Sequence, residues 1–292
     1  MHEILHLILH SILDTAKLVP FLFLTYLLME YLEHRSANVT ERWLRGAGKI
    51  GPLVGGTLGV VPQCGFSAAA SGLYAGRIIT TGTLIAVYLS TSDEMLPIMI
   101  SEGAPITTML KILGTKLLIG IVAGFAIDGV SCLIRQKHGH NRDEHSHIED
   151  ICERENCNCG DHFAFSALKH TLHITVFILL ITFALNTAIH FIGEDQIAAA
   201  VLDRPILGNF VSSLIGLIPN CASSVILTEL YLGGVIPAGA MLSGLLVNSG
   251  VALTILFRNN RPVKDSFRIL LILFAIGFFS GILIDLTGIL RL

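Results

Sequence analysis

Charge is scarce in this chain. Only 14% of its 292 residues are Asp, Glu, Lys or Arg, where a soluble domain carries about 25%, which argues against a soluble enzyme. A single Trp does not furnish the aromatic girdles of an outer-membrane barrel. No basic patch of the size that binds nucleic acid is present. Neither a P-loop nor G-x-S-x-G occurs, which disfavours an ATP motor or a serine hydrolase within this chain. The N-terminus lacks the basic start and small-residue cleavage site of a removable signal peptide. The six cysteines form no disulfide framework. Cys64, Cys132 and Cys221 lie in apolar stretches, and Cys152, Cys157 and Cys159 lie in one hydrophilic segment beside histidines, the pattern of reduced or metal-binding thiols.

What is abundant is apolar. Hydrophobic residues make up 52% of the chain and the mean hydropathy is +0.71. Apolar runs cover about 11–33, 50–76, 78–101, 105–134, 166–192, 206–233, 235–257 and 266–290. Several match the roughly 20 residues that a spanning helix needs. Two are interrupted, at Val61-Pro62-Gln63-Cys64-Gly65 and at Ile218-Pro219-Asn220-Cys221-Ala222. A proline, an amide and a thiol in mid-run suit broken backbone, which is tolerated at that depth only inside protein or beside a cavity.

The two breaks belong to an internal repeat. At an offset of 157 residues, 23 of the 78 positions from 51 to 128 are identical. Shared apolar composition would match Leu and Ile. It would not also align Gly59 with Gly216, Tyr74 with Tyr231, Ser92 with Ser249, Pro105 with Pro262 and Asp128 with Asp285. Loop charges give the orientation. Arg35, Arg42, Arg45 and Lys49 in 34–49, and Arg258, Arg261 and Lys264 in 257–264, place those loops in the cytoplasm. Their repeat counterparts, 193–204 and 102–104, are acidic or without a base and fall outside. The halves then face opposite ways. The expected fold is an all-α polytopic membrane protein of two inverted repeats, with about five helical segments each and half-helices meeting at Pro62 and Pro219. The expected organisation is 1–134 for the first membrane repeat, 135–165 for a cytoplasmic His-, Cys- and acid-rich linker, and 166–292 for the second repeat.

Two broken segments facing each other near the midplane are the usual place for a substrate or ion in a secondary carrier. The candidate binding residues are therefore Gln63, Cys64 and Ser67 with their partners Asn220, Cys221 and Ser224. A second set is Ser92, Asp93 and Glu94 with Asn248 and Ser249, to which Glu229 adds an acid. Intramembrane acids are expensive and mark functional sites by default. A helix end in interfacial water is the alternative for Asp93 and Glu94, and a packed kink for each Pro-x-Cys. Asp128 and Asp285 read as structural acids that reach the interface or cap a neighbour. Lys111 and Arg268 are placed to snorkel, and Asp14 and Lys17 to pair on one helix face. In the linker, His138, His140, His145, His147, Cys157, Cys159 and His162 are metal-capable. C-x-C is shorter than the usual zinc spacing, so a loose metal-gathering loop or a merely solvated linker is expected. His2-Glu3-Ile4-Leu5-His6 matches H-E-x-x-H, yet it starts at residue 2, where a helix frays, so no enzyme is read from it.

The segments Val61-Pro62-Gln63-Cys64-Gly65-Phe66-Ser67-Ala68-Ala69 and Ile218-Pro219-Asn220-Cys221-Ala222-Ser223-Ser224, the run Ser90-Thr91-Ser92-Asp93-Glu94-Met95-Leu96-Pro97 and the His-rich linker carry a likeness to a known family. Over nearly its whole length the chain resembles the ten-helix heavy-metal exporters of prokaryotic inner membranes. These are described as arsenic efflux proteins or manganese transporters and are distantly similar to organoarsenical permeases. The resemblance implies secondary-active export of a heavy metal or metalloid ion. Hard Mn²⁺ prefers carboxylates and carbonyls, and a trivalent arsenical prefers thiols; both ligand sets are present. No cofactor is expected, the ion being substrate. The bilayer and that ion are the expected partners, nucleic acid is not, and a homo-oligomer is left open. Two other readings remain: export of an organic or anionic solute on the same fold, and a membrane metal sensor without flux.

Overall fold

The computed structural model describes residues 50–61, 64–92, 95–138 and 205–288, with isolated positions within 19–24 and 168–183. Every regular element among them is an α-helix. In the first half these are α1 (Ile50–Gly59), α2 (Cys64–Ala75), α3 (Thr81–Ser90), α4 (Met95–Ser101) and α5 (Ile106–His138). In the second half they are α6 (Pro205–Gly216), α7 (Cys221–Leu232), α8 (Ala238–Val247), α9 (Ala252–Asn259) and α10 (Val263–Thr287). The starts of α2 to α5 and of α7 to α10 differ by the same 157 residues as the sequence repeat. α5 continues past residue 134, the expected end of the first repeat.

The turns repeat as well as the helices. After α2, Arg77 N–H donates to Tyr74 O and Ile78 N–H to Leu73 O. After α7, Gly234 N–H donates to Tyr231 O and Val235 N–H to Leu230 O. Both turns satisfy helix-end carbonyls through a left-handed residue, at φ 61° for Arg77 and 70° for Gly234.

Among the described residues, four stretches are long and apolar enough to cross a membrane. They sort into two kinds. The outer helices are α5 and α10, buried over only 22% and 28% of their apolar windows. Leu118, Val122 and Leu133 on α5, and Leu271, Phe279 and Leu283 on α10, are exposed, as lipid-facing residues are. The inner spans are Thr81–Ser101 and Ala238–Asn259, buried over 75% and 89%. These inner spans are the broken ones. α3 ends at Ser90 with Thr91 as its C-cap, and α8 ends at Val247 with Asn248 as its C-cap. The runs 78–101 and 235–257 each read as one segment in the sequence, so the interruptions that follow Ser90 and Val247 are additions to the Pro62 and Pro219 breaks. Their burial supplies the reason they persist: freed backbone groups find partners inside protein and would not find them in lipid.

Glycines set the distance between inner and outer helices. A Cβ on Gly120 would lie 2.9 Å from Ala86 O, and one on Gly277 3.0 Å from Ser243 O. Gly124 and Gly281 press in the same way on Gly82 O and Gly239 O. These small-x-x-x-small pairs let backbones approach where apolar burial itself gains little against lipid. Among the described residues, the two halves interlock through apolar clusters. One joins Met95, Met99 and Ile112 to Leu227, Met241 and Leu242; another joins Leu84, Tyr88 and Leu89 to Leu253, Leu256 and Leu273.

Candidate functional site

The interlock brings the breaks of one half against those of the other. α2 packs on α9, and α7 on α4. Ser67 Oγ donates to Ser249 O at 3.4 Å. One turn on, Ser71 Oγ lies 2.7 Å from the Tyr88 hydroxyl and 2.9 Å from Ala252 O. The start of α2 is thus held on Ser249 O, in the break between α8 and α9, and its next turn on Ala252 O at the first residue of α9. The Ser249 carbonyl lies outside any helix and is answered by a hydroxyl from the opposite repeat.

The equivalent serines of the two inner breaks differ in state. Ser92 Oγ donates to Val60 O at 2.8 Å, which ties the first break to the end of α1. Ser249 is fully buried and its Oγ has no partner among the described residues; neither does Asn248 Nδ2. Asn248 Oδ1 accepts from Gly250 N–H at 2.9 Å, and Gly250 takes a φ of 56°. A buried hydroxyl and amide left open cost free energy, and a bound polar or ionic ligand would remove that cost. An open cavity of about 580 Å³ lies between Pro219 and the face of α9 and the turn after it, lined by Leu253, Thr254, Phe257, Arg258 and Arg261.

The other expected residues are placed as follows. Asn220 and Ser224 are buried at the head of α7. Cys64 opens α2 and Cys221 opens α7; their side chains lie outside the described residues. So do Gln63, Asp93 and Glu94, and the linker residues His140, His145, His147, Cys157, Cys159 and His162 with the side chain of His138. Glu229 is exposed on α7. Among the described residues no group of three His, Cys, Asp or Glu converges. Asp14 and Lys17 lie outside them as well, while Lys111 and Arg268 are exposed.

Asp128 and Asp285 cap neighbours, the second of the two structural roles expected for them. Asp128 accepts from Gly82 N–H at 2.9 Å and from Thr80 Oγ1 at 2.6 Å. Asp285 accepts from Gly239 N–H at 2.8 Å and from Asn209 Nδ2 at 2.8 Å. Each carboxylate thus sits at the N-terminus of an inner helix, where the dipole favours a negative charge.

Residues 140–258 match the family model described as "Putative, 10TM heavy-metal exporter". That span is less than half of the chain. It covers the linker and the second half as far as α9, and so includes Asn220, Cys221, Ser224, Asn248 and Ser249. No curated protein and no solved structure matches the chain. The matched family is one of transporters, not of enzymes, and the chain is a multi-pass helical membrane protein.

One residue of the site is absent from the expectations above. Lys116 is 1% exposed in the middle of α5. Its ammonium donates to Thr91 O and, at 2.8 Å, to Leu245 O. The signal was available: Lys116 is a charge within an apolar run, and its repeat counterpart is Leu273. Asn209, which joins Asp285 to Ser243, has no such signal, because Pro52 stands in its place in the first half.

Proposed function

We propose that this protein is a secondary-active exporter of a heavy metal or metalloid ion, working by alternating access between two inverted repeats of an inner membrane. The observation that carries this reading is the inequality of Ser92 and Ser249. They are equivalent by repeat, yet one is bonded to Val60 O and the other is buried with its hydroxyl open. Two equivalent half-sites held in unlike states are what one frame of a rocking carrier looks like. If 257–264 is cytoplasmic, as its charges indicate, the cavity opens on the side from which an exporter loads. Asn248, Ser249, Ser67, Asn220 and Ser224 supply oxygen donors of the kind a hard divalent ion takes, with Asp93, Glu94 and Gln63 adjoining in sequence. Cys64 and Cys221 supply thiols for an arsenical.

The cavity favours a second reading. Arg258 and Arg261 line it with mostly apolar partners, which suits an organic or anionic solute.

Everted vesicles containing the protein distinguish the two. They are offered Mn²⁺, Zn²⁺, Fe²⁺, arsenite and a methylarsenical, and separately an organic anion. On the first reading one of the metals or arsenicals accumulates, and Asn248→Ala/Ser249→Ala lowers its apparent affinity about tenfold, the effect of one lost polar contact. Loss in Cys64→Ser/Cys221→Ser assigns the thiols; loss in Asp93→Asn/Glu94→Gln assigns the acids. Accumulation of the anion alone, unaffected by neutralising Asp93 and Glu94, replaces the first reading with the second. No flux of any solute removes both.

A further inference from the structure

Thr91 is the C-cap of α3, and Leu245 lies in the last turn of α8. Carbonyls at such positions have no helical N–H left to accept from, and they carry the negative end of the helix dipole. Two inner helices, one from each half, therefore aim their negative ends at one buried point. In carriers built from broken helices, a site of this composition holds a free monovalent cation. Here the Lys116 ammonium fills it, donating to both carbonyls. The repeat-related point has no such lysine, since Leu273 replaces Lys116. One cation serves the pair.

We infer that Lys116 is a tethered cation in a monovalent-cation site formed by the C-terminal carbonyls of α3 and α8, so that removing its side chain opens that site to a free cation such as Na⁺. Cost and geometry agree on this. An ammonium taken out of water in mid-membrane is tolerated when carbonyl oxygens replace its hydration. A side chain kept only for packing would be apolar, as Leu273 is in the other half.

The test uses full-length protein in detergent and reads thermal stability in NaCl, KCl, methylammonium chloride and choline chloride at equal ionic strength. No transport enters the readout, so its failure is separable from failure of the export reading. Wild-type stability is expected to be the same in all four salts. Lys116→Ala is expected to melt lower in choline and to regain at least about 3 °C in Na⁺ or methylammonium, with saturation. Lys116→Met fills the space without charge and is expected to stay low in every salt. Equal behaviour of Lys116→Ala in Na⁺ and choline would overturn the inference. If Lys116→Ala does not fold, the yields of monodisperse Lys116→Arg and Lys116→Met decide: Arg keeps a cation at the carbonyls and should be recovered, Met should not, and equal recovery overturns the inference.

Discussion

The two halves of the molecule share one backbone plan and spend their polar side chains differently. Around the first inner break the groups are closed: Ser92 is bonded to Val60 O, and Lys116 is bonded to Thr91 O. Around the second, Asn248 Nδ2 and Ser249 Oγ are open, and Leu273 stands at the position equivalent to Lys116. At the helix starts the order reverses. The carboxylate of Asp285 is braced by Asn209, which also accepts from Ser243. Asp128 is braced only by the local Thr80. A duplicated fold thus keeps what the backbone needs, the caps and close glycine crossings, and diverges where a ligand or a moving part would need inequality.

The largest test of the shared plan is steric. An alanine Cβ at Gly281 would collide with Ser243 Oγ, Asn209 Oδ1 and Gly239 O, and at Gly124 with Gly82 O and Pro52 Cβ. Gly281→Ala is expected to cost about 3 kcal/mol and Gly124→Ala about 2, in the range for overpacking. Thermal unfolding in detergent measures both. Gly114→Ala, with nothing within 4 Å of its new Cβ, is the control and should be neutral or stabilising by up to about 1 kcal/mol. Equal losses at all three positions would refute close packing as the cause.

The caps come next. Asp285→Ala strands a backbone N–H and the buried Asn209 amide, and should cost about 2–3 kcal/mol. Asp128→Ala should cost about 1–2 kcal/mol, because Thr80 is half-buried and can turn to water. Reversal of that order in chemical denaturation would show that Asn209 does not brace Asp285.

A smaller difference separates Ser71 from its counterpart Thr228. Ser71 bonds across the repeats, while Thr228 Oγ1 donates only to Ser224 O in its own helix. Ser71→Ala should cost about 1 kcal/mol, in the range for polar contacts between membrane helices, and Thr228→Val less, because its hydroxyl bonds only within its own helix. A double-mutant cycle of Ser71→Ala with Tyr88→Phe should show coupling; additivity would mean that the hydrogen bond at 2.7 Å contributes nothing.

The smallest effect concerns the left-handed turns. Gly234→Ala introduces a Cβ at φ 70° and should cost about 1 kcal/mol. Arg77→Gly relieves the same strain and gives up an Arg77–Asp265 pair, 3.6 Å apart and 29% and 26% exposed, which is worth about 0–1 kcal/mol. Its net change should be near zero and should grow less unfavourable in high salt. A Gly234→Ala melting curve superposing on the wild type would remove the strain argument.

By itself the sequence determined the membrane class, the repeat and the Pro62 and Pro219 interruptions. It could do so because these rest on composition and on residues whose backbone limits are intrinsic. It also carried one unread clue to the inner breaks. Pro97 lies in the first turn of α4, where its missing N–H is harmless, and in the middle of a continuous helix it would cost an intrahelical bond. A helix therefore has to begin near residue 95. Only the tertiary structure decided which spans are inner and which are outer, that hydroxyls of the first half meet the break between α8 and α9, and that Lys116 joins the ends of α3 and α8. Those facts depend on which face of each apolar helix is turned inward. A chain whose helices are apolar on every side does not write that choice in its periodicity.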